Sequence, residues 1–447
     1  MTANFIFPDE WTTWMIALAS VLHQRSAWRF ARLAAGIVFA NGRRTITSWL
    51  RAAGISDAYE AIYYFIGALA RKSEAVATIL FEITMRRVLA HDHRVLMALD
   101  DSPTKRYGPK VQGAGIHHNP TPGPGKAKFL YGHIWVTLAW VVRHRLWNTI
   151  GLPLWAMLYV RAKDIGKIPK VYKWPFQTKL ILAARLVEWA AKIVHAAGKS
   201  LWIVADGAYA KRPFLQRAAA AGVVVVSRLR KDAALCDVPP KLKKGQRRPR
   251  GRPRKYGKNR ISLAKRAGQR RGWNEVRCLL YGEWVTKTYK TFLATYRPAG
   301  GLIRVVLVKE DHGWHAFFAT DPSASVVDIL EAFADRAAIE QDFHDVKEVW
   351  GAGQQQVRNL WANIGVYHLN LWMHTLVELW AWDQPKDHVC DRRASPWDDP
   401  TRRPSHADRR KSLCRTMIEE QLSAITRCWW LPRIFLALVR QFTRIAI

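Results

Sequence analysis

Three acidic residues lie in settings that suit the binding of divalent metal ions. Asp101 comes just after a buried strand predicted for Val95 to Leu99. Asp206 ends a second apolar strand, predicted for Leu201 to Ala205, and Glu340 lies in a predicted helix. Mg²⁺ prefers carboxylate and water oxygens, and two such ions about 4 Å apart can activate a nucleophile and stabilise the leaving oxygen of a phosphodiester. Together the three acids predict a metal-dependent site that cuts or transfers nucleic-acid strands.

The predicted helix around Glu340 carries an unusual polar face. Ser325 and Asp328 form a capping-box pattern at its start, and Gly351 and Gly353 supply its end. At roughly 100° per residue, four chemically different side chains share one narrow face: Phe333, Arg336, Glu340 and Lys347. The alternative is an ordinary surface helix in which the arginine and glutamate form an i,i+4 pair.

These residues resemble the DDE transposases of bacterial insertion sequences, in particular the large group with a Tyr-x2-Arg-x3-Glu-x6-Lys signature. Arg336, Glu340 and Lys347 match the signature, whereas Phe333 stands where the group has Tyr and lacks its hydroxyl. The segments LDDSPTKRYG and VADGAYAKR resemble the first and second aspartate motifs, so the resemblance extends from about residue 90 to residue 380. Basic residues within these motifs are candidates for DNA contacts: Lys105, Arg106 and Lys211.

Two assignments within the acid set have alternatives. Asp100 and Asp101 are adjacent and point to opposite faces of a strand, so only one of them enters the metal site. In the family the first acid is usually followed by Ser or Thr, which favours Asp101, since Ser102 follows it. Glu348 lies on the same predicted helix but well off the signature face, which favours Glu340.

The resemblance implies an α/β fold. It comprises an RNase H-like core, in which helices flank a mixed sheet, together with an inserted β-rich domain and an all-helical N-terminal domain. The first Asp would lie on the first strand and the second Asp after the fourth. Further predicted elements fit this order: strands Ile134 to Val142, Leu152 to Val160 and Val223 to Leu229, and a helix over Arg212 to Ala221.

The predicted domain boundaries follow from this order. They are a helical DNA-binding domain at 1–90, the first part of the core at 91–233, a basic arm and β-rich insertion at 234–324, the second part of the core at 325–382, and a linker with a helical tail at 383–447. In the first domain, Gly42 to Ile55 could form helix-turn-helix elements whose Arg43, Arg44 and Arg51 meet phosphates. A plain helical cap on the core is the alternative.

The insertion opens with a strongly basic arm. Lys241 to Arg260 contains eleven Lys or Arg and no acid, so its charges repel one another unless phosphates neutralise them. Arg250 and Arg252 match the core of an AT-hook, which reads the minor groove of A·T-rich DNA. A sequence-independent arm on the DNA backbone is the alternative. In some relatives a tryptophan of the insertion stabilises a flipped base, and Trp273 and Trp284 are the candidates here, although packing in the core is the preferred explanation for either.

Composition predicts a polyanionic partner inside a reducing compartment. The 70 Lys and Arg against 35 Asp and Glu give a formal net charge of +35, which predicts salt-dependent nucleic-acid binding, with RNA possible on charge alone. The five cysteines show no zinc spacing, and the acidic start MTANFIFPDEW does not resemble a signal peptide. Ile364 to Trp382 is typical of a core helix rather than a membrane span. We therefore expect a cytoplasmic, nucleoid-associated protein without a membrane partner.

The sequence thus predicts a cut-and-paste transposase of an insertion sequence. By the resemblance, Asp101, Asp206 and Glu340 would hold two Mg²⁺ ions, for which Mn²⁺ would substitute. Arg336 and Lys347 would grip phosphates, and Phe333 would pack against the DNA end. The partners would be double-stranded DNA, both transposon ends and target, and a second copy of the chain in a synaptic homodimer. The alternatives are a non-catalytic, domesticated DNA-binding protein and a structure-selective nuclease on the same core.

Overall fold

The computed structural model describes most of the chain, namely residues 7–57, 59–88, 93–119, 127–240, 251–390, 397–399 and 401–427. Arg250, a candidate DNA contact of the basic arm, lies outside these residues. Within the described ranges, no helix is both long and apolar enough to span a membrane.

Helices make up the described regular structure ahead of the sheet. They are α1 Asp9–Ala19, α2 Gln24–Phe39, α3 Ile46–Ala52, α4 Tyr59–Arg71 and α5 Ser73–Val88. The sequence predicts a phosphate contact for Arg44, between α2 and α3, but this residue is held against the core. Its backbone N–H donates to Gln354 Oε1 (2.8 Å) and its Nε donates to the Val349 carbonyl (3.3 Å). Arg43 and Arg51 are exposed.

A 12-stranded sheet runs through the rest of the molecule. Its strands are β1 Arg94–Lys105, β2 Gly115–His118, β3 Phe129–His144, β4 Asn148–Tyr159, β5 Ser200–Ala205, β6 Val224–Leu229, β7 Leu235–Cys236, β8 Arg260–Ile261, β9 Asn274–Leu280, β10 Glu283–Tyr296, β11 Gly301–Glu310 and β12 Gly313–Ala319. The other helices are α6 Lys179–Ala196, α7 Arg212–Ala220, α8 Leu263–Gly268, α9 Val326–Asp335, α10 Ala337–Glu348, α11 Leu360–Ala381, α12 Lys386–Val389 and α13 His406–Arg427. Short 3₁₀ turns cover Ala162–Lys167, Lys170–Tyr172 and Gly207–Tyr209.

The first part of the sheet has a mixed order, β4–β3–β1–β5–β6. β3 is antiparallel to β1 and β4 is antiparallel to β3, whereas β5 is parallel to β1 and β6 to β5. This mixed sheet with flanking helices fits an RNase H-like core. The sequence predicts that β1 stops at Leu99 before a Ser-Pro turn, but β3 continues to pair with it as far as Lys105. The segment predicted as one long loop before Ile134 also contains β2.

The two faces of the core sheet are covered by different helices. Along β1, Val95, Met97 and Leu99 belong to the apolar cluster that includes α6 and α7. The alternate residues Leu96 and Ala98 belong to the cluster that includes α9 and α10. This alternation follows from strand geometry, and it decides which side chains at the end of β1 face α10.

The strands predicted as a separate small β-domain extend the core sheet instead. β9 to β12 form at the predicted positions, and β10, β11 and β12 are antiparallel neighbours. β12 then pairs with β6, with Ala319 opposite Val226. Because β6 would otherwise leave its backbone N–H and C=O groups unpaired along one edge, this pairing continues the sheet.

The helix predicted from Ser325 to the glycines is divided in two. Ser325 caps α9 as expected, since its Oγ accepts from the Asp328 backbone N–H (3.0 Å) and contacts the Asp328 carboxylate (2.6 Å). α9 ends at Asp335 and α10 begins at Ala337, so Arg336 is the junction between them. The shared face predicted for one continuous helix is therefore split, with Phe333 before the junction and Glu340 after it.

A buried ionic network attaches α13 to α11. Glu378 of α11 accepts from Arg409 Nη1 (2.7 Å) and from His406 Nδ1 (2.5 Å). The indole N–H of Trp350 donates to the other ring nitrogen of His406 (2.7 Å). Burial opposes ionisation of Glu378, but Arg409 and His406 outweigh it and hold the pKa of the carboxyl well below its usual range.

We expect Glu378→Leu to be strongly destabilising, because it leaves the Arg409 guanidinium buried without its carboxylate. The free energy of unfolding should fall by about 3–5 kcal/mol, measured by urea titration with tryptophan fluorescence. The double variant Glu378→Leu/Arg409→Met removes both charges and should recover part of that loss. A single variant as stable as the unsubstituted protein would show that the network does not hold α13 in place.

Candidate active site

The acidic residues meet at the carboxyl end of β5, in the middle of the sheet. β5 ends at Ala205, which is paired with Leu99 of β1, so Asp206 and Asp100 are the next residues on neighbouring parallel strands. Glu340 lies in the first turn of α10. All three side chains line an open cavity of about 2080 Å³.

Arg336 links two of these acids. Its Nη1 donates to Asp100 Oδ2 (2.8 Å) and its Nη2 donates to Glu340 Oε1 (2.8 Å). The guanidinium carbon lies 5.5 Å from the centre of the Phe333 ring, which packs in turn on Phe317 with ring centres 4.8 Å apart. Phe333, a predicted DNA contact, is thus half-buried behind Arg336 and is not among the residues that line the cavity.

Asp100 is in a strongly perturbed electrostatic setting. Burial raises the pKa of its carboxyl to about 6, although the Arg336 guanidinium and the Asp101 backbone N–H oppose the shift. The nearby negative charges of Asp101 and Asp206 raise this pKa further. A carboxylate in this position gains from any additional positive charge that enters the cavity.

Asp101 also lines the cavity, but its side chain is bound on the opposite face of the sheet. Its carboxylate accepts from Lys179 Nζ (2.6 Å), at the start of α6, and from the Tyr209 hydroxyl (2.8 Å). Both partners belong to the side of the sheet covered by α6, whereas Asp100 contacts Arg336 on the side covered by α10. The geometry therefore favours Asp100 over the sequence-based choice of Asp101 as the first acid of the site.

Both candidates for the helical acid line the cavity, but their positions differ. Glu340 is joined to Asp100 through Arg336, whereas Glu348 is the last residue of α10, two turns further on. Lys347 also lines the cavity, half-buried beside the Phe343 ring, and burial lowers the pKa of its ammonium. The geometry agrees with the preference for Glu340.

The remaining predicted DNA contacts separate into different environments. Lys105 is exposed and lines the cavity, whereas Lys211 is exposed but does not line it. Arg252 is exposed at the start of the described part of the basic arm. Arg106 is only 5% exposed and donates to the carbonyls of Gly353 and Gln355 (both 3.0 Å). Its Nε also donates to His133 Nδ1 (3.1 Å), so Nε and Nη1 are engaged inside the protein, although the residue borders the cavity.

Further cations line the same cavity, at positions contributed by distant parts of the chain. Arg43 comes from the connection between α2 and α3, Lys110 from the loop after β1, and Arg358 from the loop before α11. All three are exposed. Lys110 lies eight residues after Ser102, a proximity that could have suggested it, whereas Arg358 has no sequence signal, since its neighbourhood forms only on folding.

The tryptophans proposed for base flipping do not line the cavity that the three acids share. Trp284 is 61% exposed near the β9–β10 turn, where Gly282 approaches Asn148 at the start of β4. This turn is at the opposite end of the sheet from Asp100, because β3 runs antiparallel to β1. Trp273 is half-buried and stacks under the Lys290 ammonium, 4.7 Å from the ring centre.

Comparison with protein families identifies the architecture that contains these acids. The family described as DDE superfamily endonuclease matches residues 17–288, more than half of the chain. The chain belongs to this family. Membership supports a nuclease-type enzyme with a DNA substrate, in a superfamily whose nucleases generally use divalent metals. The match includes Asp100 and Asp206 but ends before Glu340. Comparison with curated proteins found no match.

The acids of this DDE endonuclease have the chemistry of a divalent-metal site, but they do not form a closed cage. In the described part of the chain, the group of three such side chains with donor atoms all within 4.8 Å is His374, Glu378 and His406. That group belongs to the structural network of α11 and α13. The carboxylates of Asp100, Asp206 and Glu340 instead border an open cavity, where water can complete the octahedral shell that Mg²⁺ prefers.

We expect the affinity of the protein for Mn²⁺ to depend on the protonation of Asp100. Because a cation must displace the proton below the pKa of about 6, affinity should fall by up to about tenfold per pH unit as the pH drops from about 7 to about 5. Free Mn²⁺ measured by electron paramagnetic resonance gives the affinity. Asp100→Asn should lose this part of the dependence, and a pH-independent affinity in the unsubstituted protein would contradict the assignment.

Proposed function

We propose that the chain is the transposase of a bacterial insertion sequence. It would cut DNA at the terminal inverted repeats of its element and join the freed ends to target DNA. The observation that carries the proposal is the meeting of Asp100, Asp206 and Glu340 at one cavity with basic walls. The spacing of Arg336, Glu340 and Lys347 supports membership of the transposase group with the Tyr-x2-Arg-x3-Glu-x6-Lys signature.

The acids and the cations of the proposed site have different roles. Asp100, Asp206 and Glu340 would hold Mg²⁺, for which Mn²⁺ would substitute. When bound, the metal supplies an activated water and stabilises charge on the leaving oxygen. Arg336 orients Asp100 and Glu340 through its two hydrogen bonds. Lys347, on the cavity side of α10, binds a phosphate near the scissile bond.

The walls of the cavity fit the backbone of a DNA strand. Exposed or half-buried cations line it: Arg43, Lys105, Lys110, Lys347 and Arg358. Side chains of this type contact phosphates without reading sequence. The exposed Arg252 supports an additional backbone or minor-groove contact by the basic arm.

The requirement to hold two transposon ends together supports a homodimer on DNA. The proposed division of labour keeps residues 1–90 for DNA binding, 91–233 and 325–382 for catalysis, and 234–324 for a basic arm with β-strands that extend the core sheet. The location of Arg43 in the cavity wall supports a DNA-contacting role for the N-terminal region.

We expect substitutions of the acids to abolish cleavage and spare DNA binding. Supercoiled plasmid carrying the inverted repeats that flank the reading frame should be cut at the repeat boundary with Mg²⁺ and left intact with EDTA. Asp100→Asn, Asp206→Asn and Glu340→Gln should each lower the rate by at least about 10³-fold, because each removes metal stabilisation of the transition state. Glu348→Gln is the matched control, an acid of the same helix, and should remain active.

The same assay separates the alternatives. Tight binding without cleavage by the unsubstituted protein, under conditions that permit synapsis, would indicate a non-catalytic DNA-binding derivative. Cutting without end specificity or joining would indicate a structure-selective nuclease. An active Glu340→Gln protein would remove that residue from the site.

We expect the cations of the cavity wall to contribute separately to DNA affinity. Each of Arg43→Ala, Lys347→Ala and Arg358→Ala should weaken binding and lower the slope of log affinity against log salt by about 0.9, because one phosphate contact is lost. Fluorescence anisotropy over a salt series measures both quantities. Lys192→Ala, an exposed cation of α6 on the other face of the sheet, is the control. Equal slopes for all variants would exclude this cavity as the DNA path.

A further inference from the structure

Asp101 joins three segments that surround the proposed metal site. Its carboxylate accepts from Lys179 Nζ at the first residue of α6 (2.6 Å) and from the Tyr209 hydroxyl (2.8 Å). Its own backbone N–H donates to Asp100 Oδ1 (2.8 Å). One residue thus contacts the first acid through its main chain and two other segments through its side chain.

Tyr209 is connected directly to the second acid. It belongs to the 3₁₀ turn that follows Asp206, and its backbone N–H donates to the Asp206 carbonyl (2.9 Å). The side chain is 2% exposed and packs against Phe214 with ring centres 6.1 Å apart. The position of the hydroxyl is therefore fixed by the core.

The link between Asp101 and Tyr209 begins where the backbone pairing ends. The β1–β5 register stops at the pair Leu99 and Ala205. Beyond that pair, the Asp101–Tyr209 hydrogen bond ties the end of β1 to the turn after β5. It therefore acts on the separation between Asp100 and Asp206, which lie one residue beyond the last backbone pair.

Lys179 gives the link its charge balance. Its ammonium lies against the Asp101 carboxylate and 5.7 Å from the centre of the Tyr159 ring. A charge-assisted hydrogen bond of this kind is stronger than one between neutral groups. The Asp101 charge is thus partly offset on its own side of the sheet, which limits its repulsion of Asp100 and Asp206.

We propose that Asp101 is a positioning residue, which with Tyr209 and Lys179 sets the spacing of Asp100 and Asp206 for cation binding. This inference rests on the proposed function, since it assigns Asp100 and Asp206 to the metal. It gives the second aspartate of LDDSPTKRYG a task distinct from metal ligation. A metal-ligand role for Asp101 and a purely structural role are the two competing explanations.

The experiment compares Mn²⁺ affinity without DNA and the Mg²⁺ dependence of plasmid cleavage. The variants are Tyr209→Phe, Asp101→Asn, Lys179→Met and Asp100→Asn, with thermal unfolding to verify that each is folded. Loss of a residue that orients a ligand typically weakens metal binding by about 10- to 100-fold. We expect that loss for the first three variants, with cleavage near the unsubstituted rate at saturating metal. Asp100→Asn should remain inactive at any metal concentration.

Tyr296→Phe is the matched control. The Tyr296 hydroxyl donates to the Ala210 carbonyl (3.2 Å), just beyond the same turn, and has no bond to Asp101. This variant should therefore keep the metal affinity of the unsubstituted protein. An equal loss in Tyr296→Phe and Tyr209→Phe would overturn the proposal in favour of general loosening of the turn.

Other outcomes are equally decisive. If Asp101→Asn were as inactive as Asp100→Asn at saturating metal, Asp101 would be a ligand and the proposal would fall. If Tyr209→Phe bound Mn²⁺ like the unsubstituted protein, the link would have no role in spacing. Failure of the proposed function gives a different result, namely an unsubstituted protein that neither binds Mn²⁺ at these acids nor cuts the plasmid.

Discussion

The parallel register between β1 and β5 is the constraint on which the placement of the acids depends. It pairs Leu99 with Ala205 and then stops, so Asp100 and Asp206 emerge side by side on one face of the sheet. Strand alternation sends Asp101 to the opposite face, where α6 and the turn after β5 receive it. A shift of one residue in this register would separate the two acids and place Asp101 under α10.

Repulsion among the carboxylates is the second constraint on the site. Carboxylates placed at neighbouring strand ends repel one another, and partial burial of Asp100 adds the cost of desolvation. Arg336 offsets this cost because it stands at the junction of α9 and α10 and reaches both Asp100 and Glu340. Phe333 and Phe317 support the guanidinium from behind. The two phenylalanines, Arg336 and the two acids are thus stacked in successive layers, of which Arg336 and the acids face the cavity.

Local patterns were sufficient to predict most of the longer strands and the Ser325 cap, and to place Asp206 after a strand and Glu340 in a helix, since each depends on neighbours in sequence. They missed β2 and the continuation of β1 to Lys105. The choice between Asp100 and Asp101 was not local, because it depends on which face of β1 receives α10. Arg106 is buried by carbonyls from Gly353 and Gln355, which are remote in sequence. The pairing of β12 with β6 could not be predicted either, because no local pattern shows which strand will pair with the exposed side of β6.

The bridge made by Arg336 also bears on ion selectivity. This guanidinium supplies one positive charge and two directed N–H donors to Asp100 and Glu340. A potassium or sodium ion brings no more charge than the group with which it competes, and it lacks the directed donors. A divalent ion brings twice that charge to the cavity that the three acids line. In the proposed site, this arginine bridge therefore favours a divalent ion over a monovalent one.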